Sequence, residues 1–436
     1  MKFSVIIPLY NKAPYIRKAL ESVFAQTYTD YELIIVDDGS TDGSAEIAEA
    51  ILQKATRLQG YEAKGMEDEV KGERLEAKGM ENGEADIQAS TPYTLHSTPT
   101  DASRLSGVPE NACGDLGCSS PLAFRLRLLE QPNQGVSAAR NTGVVASTGD
   151  YVAFLDADDW WEPTYLERMA QLIEDYPDAG LYACNYYYHK DGVNIIKVDI
   201  PTGYFNYPKE YFKNFAMPVT SISVVIPRKV FSDIGGFPIG IKLGEDFLLW
   251  AKIALQYKVA FLNEPLAYYN NTLPPNYRAT YHLHKPEEHM LFRLELVFGD
   301  EGMRRLGERR EAKGTESSEA NIPASNLSPL TSNLKSDWKS LLDMLRLLGL
   351  HSYWLSNEYH DIAQREIDKV DMSQQYEFLI NLYRKPRWEQ QFKQRLLQMG
   401  AGLITLLKRF KQKKKMVQAN TIITNKEYRR SMGLPL

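Results

Sequence analysis

The hydrophobic positions at the start of the chain alternate between strand-like runs and helix-like stripes. Phe3–Tyr10 is almost wholly apolar and rich in β-branched residues, as is typical of a strand buried on both faces. Pro14–Gln26 places its apolar residues at helical spacing. Glu32–Asp38 is a second apolar strand, followed by a Gly-Ser-Thr-Asp-Gly turn and a helix that begins near Ser44. Strands and helices in this order predict a parallel sheet with right-handed crossovers.

The alternation resumes after about residue 122 and continues to about Leu266, and the C-terminal part is helical in pattern. The expected strands are Arg125–Glu130, Thr148–Asp159 and Leu181–His189, and the expected helices are Gly135–Thr148, Pro163–Tyr176, Trp338–Leu350, Asn357–Val370 and Trp388–Phe410. The pattern predicts an α/β fold with a mixed, mainly parallel sheet flanked by helices and followed by a helical C-terminal extension.

Two low-complexity segments interrupt this pattern, at about residues 56–121 and about residues 305–333. They contain related repeats, at Glu62–Glu69, Glu76–Ser90 and Glu311–Ser325. Their uneven spacing excludes a solenoid, whose period is fixed. We interpret them as insertions into surface loops, which tolerate added length; a partner-binding linker is the alternative. The expected organisation is a first domain over residues 1–270, a connector over 271–335 and a helical region over 336–436.

Composition narrows the functional classes. With 436 residues and a net charge of −5, the chain has room for a large and a smaller domain, and it lacks the field that would attract nucleic acid. Its cysteines (Cys113, Cys118 and Cys184) are too few for a disulfide framework, so free thiols and a reducing compartment are expected. The sequence shows neither an export signal nor an apolar run of membrane-spanning length, which favours the cytoplasm.

The last expected helix, Trp388–Phe410, has an apolar stripe that runs into the lysine-rich segment Lys408–Lys415. This combination is typical of a helix on an anionic membrane surface, so peripheral contact with the inner face of the cell membrane is one interpretation. A helix packed on the first domain, with a solvated basic end, is the other.

Acidic residues cluster where three of the expected elements begin or end. Asp37-Asp38 closes one strand, Asp156–Asp159 closes another, and Glu245-Asp246 precedes an apolar helix. Ligands of open parallel sheets bind beyond the carboxyl ends of the strands. Carboxylates that converge there repel one another unless a cation lies between them, and oxygen ligands favour Mg²⁺ or Mn²⁺. Alternatively, each aspartate caps a helix or forms a turn.

These clusters belong to a longer ordered set of motifs that resembles family 2 glycosyltransferases of the GT-A fold, of the bacterial, non-processive type. The motifs are SVIIPLYNK (Ser4–Lys12), VDDGSTD (Val36–Asp42), NQGVSAARNTG (Asn133–Gly143), FLDADD (Phe154–Asp159) and GED (Gly244–Asp246). The resemblance implies a hexosyl- or N-acetylhexosaminyltransferase of polysaccharide biosynthesis. Such an enzyme would move one sugar, with inversion, from a UDP-sugar to a hydroxyl of a glycan or lipid-linked acceptor.

The resemblance also implies roles for individual residues. Pro8 and Tyr10 would line the base pocket, and Asp38, with Asp37 beside it, would accept the uracil N3–H. Arg140 and Asn141 would lie near the nucleotide, although Arg140 could instead be a surface arginine. The remaining expected roles are ribose binding by Asp156, metal binding by Asp158, and general-base catalysis by Asp246, with Glu245 as the alternative base.

Other features limit the rival functions. The Gln-x-x-Arg-Trp signature of processive synthases is absent, which favours transfer of a single sugar. A non-catalytic module that binds nucleotide or glycan is the main alternative, but it predicts a broken set of carboxylates. A nucleotidyltransferase would need a Gly-rich loop with a basic residue near the N-terminus, which Pro8–Lys12 lacks, and a dehydrogenase would need a G-x-G-x-x-G motif, which does not follow the first strand. Gly235-Gly236-Phe237 would border the sugar or form an ordinary turn. His282 and His284 are expected to be surface histidines rather than metal ligands.

Overall fold

The computed structural model describes residues 1–56, 125–214, 216–272, 274, 283–298, 328–370, 383 and 421–431. The chain divides into two units, Met1–Leu52 with Arg125–Leu436, and Gln53–Phe124. The repeats, the expected helix Trp388–Phe410 and the lysine-rich segment lie outside the described residues.

The described elements follow the order expected from the sequence. The strands are β1 (Phe3–Leu9), β2 (Tyr31–Asp37), β3 (Leu126–Glu130), β4 (Tyr151–Phe154), β5 (Trp160–Trp161), β6 (Ala179–Lys190), β7 (Val193–Ile196), β8 (Gly203–Phe205), β9 (Val224–Pro227), β10 (Lys258–Asn270) and the strand Thr421–Ile423. The helices are α1 (Ile16–Phe24), α2 (residues 44–56), α3 (Val136–Ala146), α4 (Tyr165–Asp175), α5 (Tyr207–Asn214), α6 (Arg228–Ile234), α7 (Glu245–Gln256), and the helices Glu295–Phe298, Ser328–Gly349, His351–Leu355, His360–Ile367 and Asn425–Ser431.

Within the described residues, these strands form one mixed sheet. Strands β3, β2, β1 and β4 are parallel neighbours, and β9 lies antiparallel between β4 and β6. Strand β10 runs parallel to β6 and antiparallel to β5 and β8, and β7 extends the other edge of β6. The mixed, mainly parallel sheet predicted from the sequence is therefore confirmed.

The central strands are buried on both faces because helices cover each side of the sheet. In β1, Val5 and Ile7 join the core formed with α1 and α4, whereas Ile6 points into the opposite core. Helix α1 buries the stripe Ile16, Ala19, Leu20 and Val23. Alternate residues of an extended strand point to opposite faces, so a continuously apolar strand is what this two-sided packing requires.

The second core joins the sheet to the C-terminal helices. Trp338 of the helix Ser328–Gly349 stacks on Tyr207 of α5, with ring centroids 5.8 Å apart. The hydroxyl of Tyr353 donates to the backbone oxygen of His284 at 2.9 Å. His289, beside that segment, is buried and bridges through its backbone to Leu243, immediately before the acidic turn at Gly244. The helical region thus supports the turn that begins α7. None of the described helices is both long enough and apolar enough to cross a membrane.

A buried carboxylate ties the sheet together at the amino ends of β1 and β2. Glu32 accepts hydrogen bonds from Ser4 Oγ at 2.6 Å and from the backbone nitrogen of Thr148 at 2.6 Å. Arg127 Nη2 lies 2.6 Å from the other oxygen of Glu32. Burial opposes ionisation of Glu32, but the hydrogen bonds from Ser4 and Thr148 and the charge of Arg127 outweigh it and lower the pKa of Glu32. This acid is structural, at the sheet edge opposite the acidic motifs.

We expect Glu32→Gln to lower the free energy of unfolding by about 1–3 kcal/mol near neutral pH, because charge-assisted hydrogen bonds are lost. A pKa lowered by folding stabilises the native state above the unfolded pKa, and this stability is lost as pH falls. The difference between wild type and variant should therefore shrink below about pH 4.5 in urea unfolding. Glu264→Gln, in the exposed ion pair with Arg168, is the control and should change little. A constant difference across pH would contradict this role for Glu32.

Candidate functional site

The acidic motifs meet at one edge of the sheet because β1, β2 and β4 are parallel and in register. Leu9 of β1 pairs with Asp37 at the end of β2, and Ile6 pairs with Phe154 at the end of β4. The chain beyond each strand therefore leaves the sheet on the same side. The segments after these three strands and the first turn of α7 border this edge, which is the ligand-binding edge of open α/β sheets.

The residues expected to form the base pocket differ in exposure. Pro8 is buried within β1, opposite Val36 of β2. Tyr10 is the first residue beyond the strand, and it is 47% exposed. A large aromatic ring left open to solvent at a ligand-binding edge offers a stacking surface.

Asp37 and Asp38 occupy different environments although they are adjacent. The carboxylate of Asp38 accepts hydrogen bonds from Gln131 Nε2 at 2.7 Å and from the backbone nitrogens of Gln134 and Gly135 at 2.9 and 2.8 Å. Asp38 thus holds the loop that leads into α3. Asp37 Oδ2 accepts from the backbone nitrogen of Ser40, but its buried Oδ1 has no hydrogen-bond partner among the described residues. The acceptor left unsatisfied is therefore on Asp37.

Arg140 joins two of the acidic motifs. It lies in α3 and is 3% exposed. Its Nη2 lies 2.7 Å from Asp156 Oδ1, and its Nη1 lies 3.0 Å from Glu245 Oε1. Burial disfavours the charge of Arg140, but the carboxylates of Asp156 and Glu245 outweigh this effect and raise its pKa. The guanidinium, which also lies over the ring of Phe237 at 5.0 Å, bridges the end of β4 to the start of α7.

The aspartates after β4 already have partners in the protein. Asp158 Oδ2 lies 2.6 Å from Lys12 Nζ, and Asp159 Oδ1 accepts from the backbone nitrogen of Asn270 at 2.7 Å. Burial is the main cause that raises the pKa of both Asp158 and Asp159, and neighbouring aspartates raise it further. Such a cluster is more stable when another cation shares it.

Asp158 and Asp156 could supply part of the ligand set of a divalent cation. Among the described residues, no group of three or more histidine, cysteine or acidic side chains could hold a metal ion. Mg²⁺ commonly binds one or two carboxylates and takes its other ligands from phosphates and water. Asp158, with its side chain 14% exposed beside Asp156, matches such a partial set.

Asp246 has the environment of a base that works near neutral pH. It lies in the first turn of α7, and its Oδ1 accepts from the backbone nitrogen of Phe247 at 2.7 Å. Burial raises the pKa of Asp246 to about 7, the charge of Glu245 adds to this effect, and Arg140 opposes it. Glu245 is paired with Arg140, whereas the raised pKa of Asp246 suits this side chain to exchange a proton near neutral pH.

The sequence did not predict the contacts that Lys12 and Asn141 make in the site. Lys12 pairs with Asp158, and the acidic cluster itself was a signal that a cation belongs nearby. Asn141, expected near the nucleotide, exchanges two hydrogen bonds with the backbone of Phe237, at 2.9 and 3.0 Å. A Cβ on Gly236 would lie 2.8 Å from Asn141 Oδ1, so a glycine at φ +71° permits this close contact.

Comparison with a family model and with known proteins gives similarity to glycosyltransferases in each case. Residues 4–64 and 119–235 match the model of the family described as glycosyl transferase family 2. The glycosyltransferase GlyA of Streptococcus pneumoniae is 28% identical over 283 residues, which cover 62% of this chain and 30% of that protein. The uncharacterized glycosyltransferase YibD of Escherichia coli is 32% identical over 185 residues, which cover 42% of this chain and 33% of that protein.

Among solved structures, a crystal structure of S. aureus TarS residues 1–349 in complex with UDP-GlcNAc aligns with 17% identity and a TM-score of 0.44. That alignment covers 84% of this chain and 91% of the TarS chain. The chain spans about a third of the length of the two curated relatives above. The matched family model covers β1 to α6, which carry the acidic motifs after β2 and β4. Residues 4–64 and 119–235, which carry these motifs, are thus similar to glycosyl transferase family 2.

Proposed function

We propose that this chain transfers a single sugar from a nucleotide-sugar, most simply a UDP-sugar, to a hydroxyl of a glycan or lipid-linked acceptor, with inversion at the anomeric carbon. The observation that carries the proposal is the meeting of acids from separate segments at one sheet edge. Arg140 links Asp156 to Glu245, and Asp246, whose pKa is about 7, lies next to that bridge. A binding module without turnover needs no base tuned in this way.

The nucleotide is proposed to lie over the ends of β1 and β2. Tyr10 would pack on the base, as its exposed ring allows. Asp37 is the better acceptor for the uracil N3–H because its Oδ1 has no hydrogen-bond partner among the described residues, whereas Asp38 is occupied by the loop before α3. Asp38 then acts indirectly, by fixing the wall of the pocket, and Asp156 would hold the ribose.

Transfer requires a proton acceptor on one side of the sugar and charge stabilisation on the other. Asp246, in its ionised form, would take the proton of the acceptor hydroxyl as that oxygen attacks the anomeric carbon. The bond from the anomeric carbon to the diphosphate oxygen breaks at the same time. Mg²⁺ or Mn²⁺ at Asp158 would supply Lewis-acid stabilisation of the departing diphosphate. Buried Arg140 would keep Glu245 and Asp156 in place on either side of the sugar.

The direct test is a panel of nucleotide-sugars with Mn²⁺, measured for donor binding and for slow donor hydrolysis. We expect one donor to be hydrolysed in a metal-dependent reaction. In Asp158→Ala the rate should fall by about 10²–10³-fold, because several kcal/mol of leaving-group stabilisation is lost. Asp233→Ala, which removes an exposed acid paired with Lys229, is the matched control.

The same panel separates the proposal from the binding module. Tight donor binding by wild type without turnover of any donor, acceptor present, would favour the module. Unchanged metal dependence in Asp158→Ala would show that the cation is held elsewhere.

A further inference from the structure

The side chain of Lys12 is paired with one oxygen of Asp158, the expected metal ligand. Its Nζ lies 2.6 Å from Asp158 Oδ2, and the side chains of Lys12 and Asp158 are 18% and 14% exposed. An ammonium at this distance makes a charge-assisted hydrogen bond and uses a lone pair of that oxygen. The ion pair is therefore a feature of the site rather than a solvated surface contact.

The main chain around Lys12 is anchored by hydrogen bonds. The nitrogen of Lys12 donates to Ser44 Oγ at 2.9 Å, and its carbonyl oxygen accepts from the nitrogens of Tyr15 and Ile16 at the start of α1. Asn11, just before it, has a positive φ of 51° and accepts from the nitrogen of Thr41 at 2.8 Å. Because the main chain is fixed on both sides, the lysine stem extends from an anchored position.

Each aspartate of the cluster after β4 thus has a partner within the protein. Asp156 pairs with Arg140, Asp158 with Lys12, and Asp159 with the backbone nitrogen of Asn270. The two cations differ in how easily they can move. Arg140 is 3% exposed and bridges two carboxylates, whereas Lys12 has a flexible four-carbon stem at the edge of the site. Lys12 is therefore the partner that an incoming cation can displace.

We propose that Lys12 is a built-in competitor of the divalent cation for Asp158, and that the donor diphosphate relieves this competition by taking over the lysine. The inference rests on the proposed function, because it assumes the cation and the diphosphate named there. An ammonium and a divalent cation repel each other, and a carboxylate oxygen already bonded to an ammonium binds a second cation less strongly. A diphosphate beside the site would give the released ammonium a new anionic partner.

Competition of this kind couples two binding events. The cation binds weakly to the protein alone, and it binds more tightly once the diphosphate is present. Coupling is reciprocal, so the cation must strengthen nucleotide binding by the same factor. The site would then assemble the cation and the donor together, which limits idle metal binding by the free protein.

The test measures Mn²⁺ binding to the full chain, with and without UDP, at the same pH for every variant. The readout is the electron paramagnetic resonance signal of free Mn²⁺. The variants are Lys12→Met, which keeps the length of the stem without the charge, and Lys229→Met as the control in an exposed ion pair. In Lys12→Met we expect Mn²⁺ affinity without UDP to rise about tenfold, and the gain on adding UDP to shrink, because one charge-assisted contact no longer opposes binding.

A double variant, Lys12→Met with Asp158→Asn, shows whether the gain acts through Asp158, and it should lose the added Mn²⁺ affinity. Thermal melting establishes that each variant is folded, and Lys12→Gln replaces Lys12→Met if the latter is not. Mn²⁺ affinity that is unchanged or reduced in the folded variant overturns the inference. Donor turnover by wild type is scored separately, so absence of turnover would refute the proposed transfer while the Mn²⁺ titrations still decide the role of Lys12.

Discussion

Replacing Asp246 by asparagine is expected to lower the rate of sugar transfer by about 10²–10⁴-fold, the usual contribution of a general base. Asparagine keeps the shape of the side chain and can still accept the hydrogen bond from the nitrogen of Phe247. It cannot take a proton from the acceptor. Donor binding should therefore stay close to that of wild type, and the loss should lie in kcat.

The pH dependence identifies the group responsible. The pKa of Asp246 is about 7, so the ionised base is depleted as pH falls below that value. The wild-type kcat should then decline by about tenfold per pH unit on the acidic side. The residual activity of Asp246→Asn should lack this limb, because the group that titrates there has been removed.

Two comparisons make this result specific. Asp178→Asn, which changes an exposed acid paired with Lys258, should behave as wild type. Glu245→Gln tests the alternative base, and it should retain the acidic limb because Asp246 is still present. If Asp246→Asn transfers sugar at the wild-type rate and Glu245→Gln does not, the roles of the two acids are exchanged.

The arrangement of the sheet and the edge that carries the acids could be predicted from the sequence because both follow from local patterns. A nearly continuous apolar run such as Phe3–Leu9 is typical of a strand covered on both faces. Parallel strands then end at a common edge, so the placement of Asp37 and of Asp156 at that edge follows from topology alone.

The pairing of side chains at that edge could not be predicted, since it depends on distances between segments far apart in the sequence. Asp37 and Asp38 are adjacent in the sequence, yet their hydrogen bonds differ. Asp38 accepts hydrogen bonds from the loop at Gln131–Gly135, whereas Asp37 Oδ1 has no hydrogen-bond partner among the described residues. Likewise, no periodicity shows that Arg140 contacts Glu245, which lies 105 positions away. The sequence shows only that acidic residues cluster at this edge. Such a cluster needs positive charge nearby, but the sequence does not show which residues supply it.

The buried position of Arg140 leads to the second large prediction. We expect Arg140→Met to lower the free energy of unfolding by about 3 kcal/mol near neutral pH, because it leaves two partly buried carboxylates without their partner. Methionine fills much of the space of the arginine stem, so lost charge pairing rather than a cavity dominates the effect. Denaturant unfolding, followed by circular dichroism, measures it.

A second substitution can show that the cost arises from unpaired charge. Adding Glu245→Gln to Arg140→Met removes one of the orphaned carboxylates, and the double variant should recover part of the lost stability. The base should respond as well: Arg140 lowers the pKa of Asp246, so its removal should move the acidic limb of the pH profile to higher pH. A folded Arg140→Met of wild-type stability that fails to bind nucleotide would instead show that the arginine contacts the donor directly. Arg140 would then be a ligand of the nucleotide rather than the link between the two acidic segments.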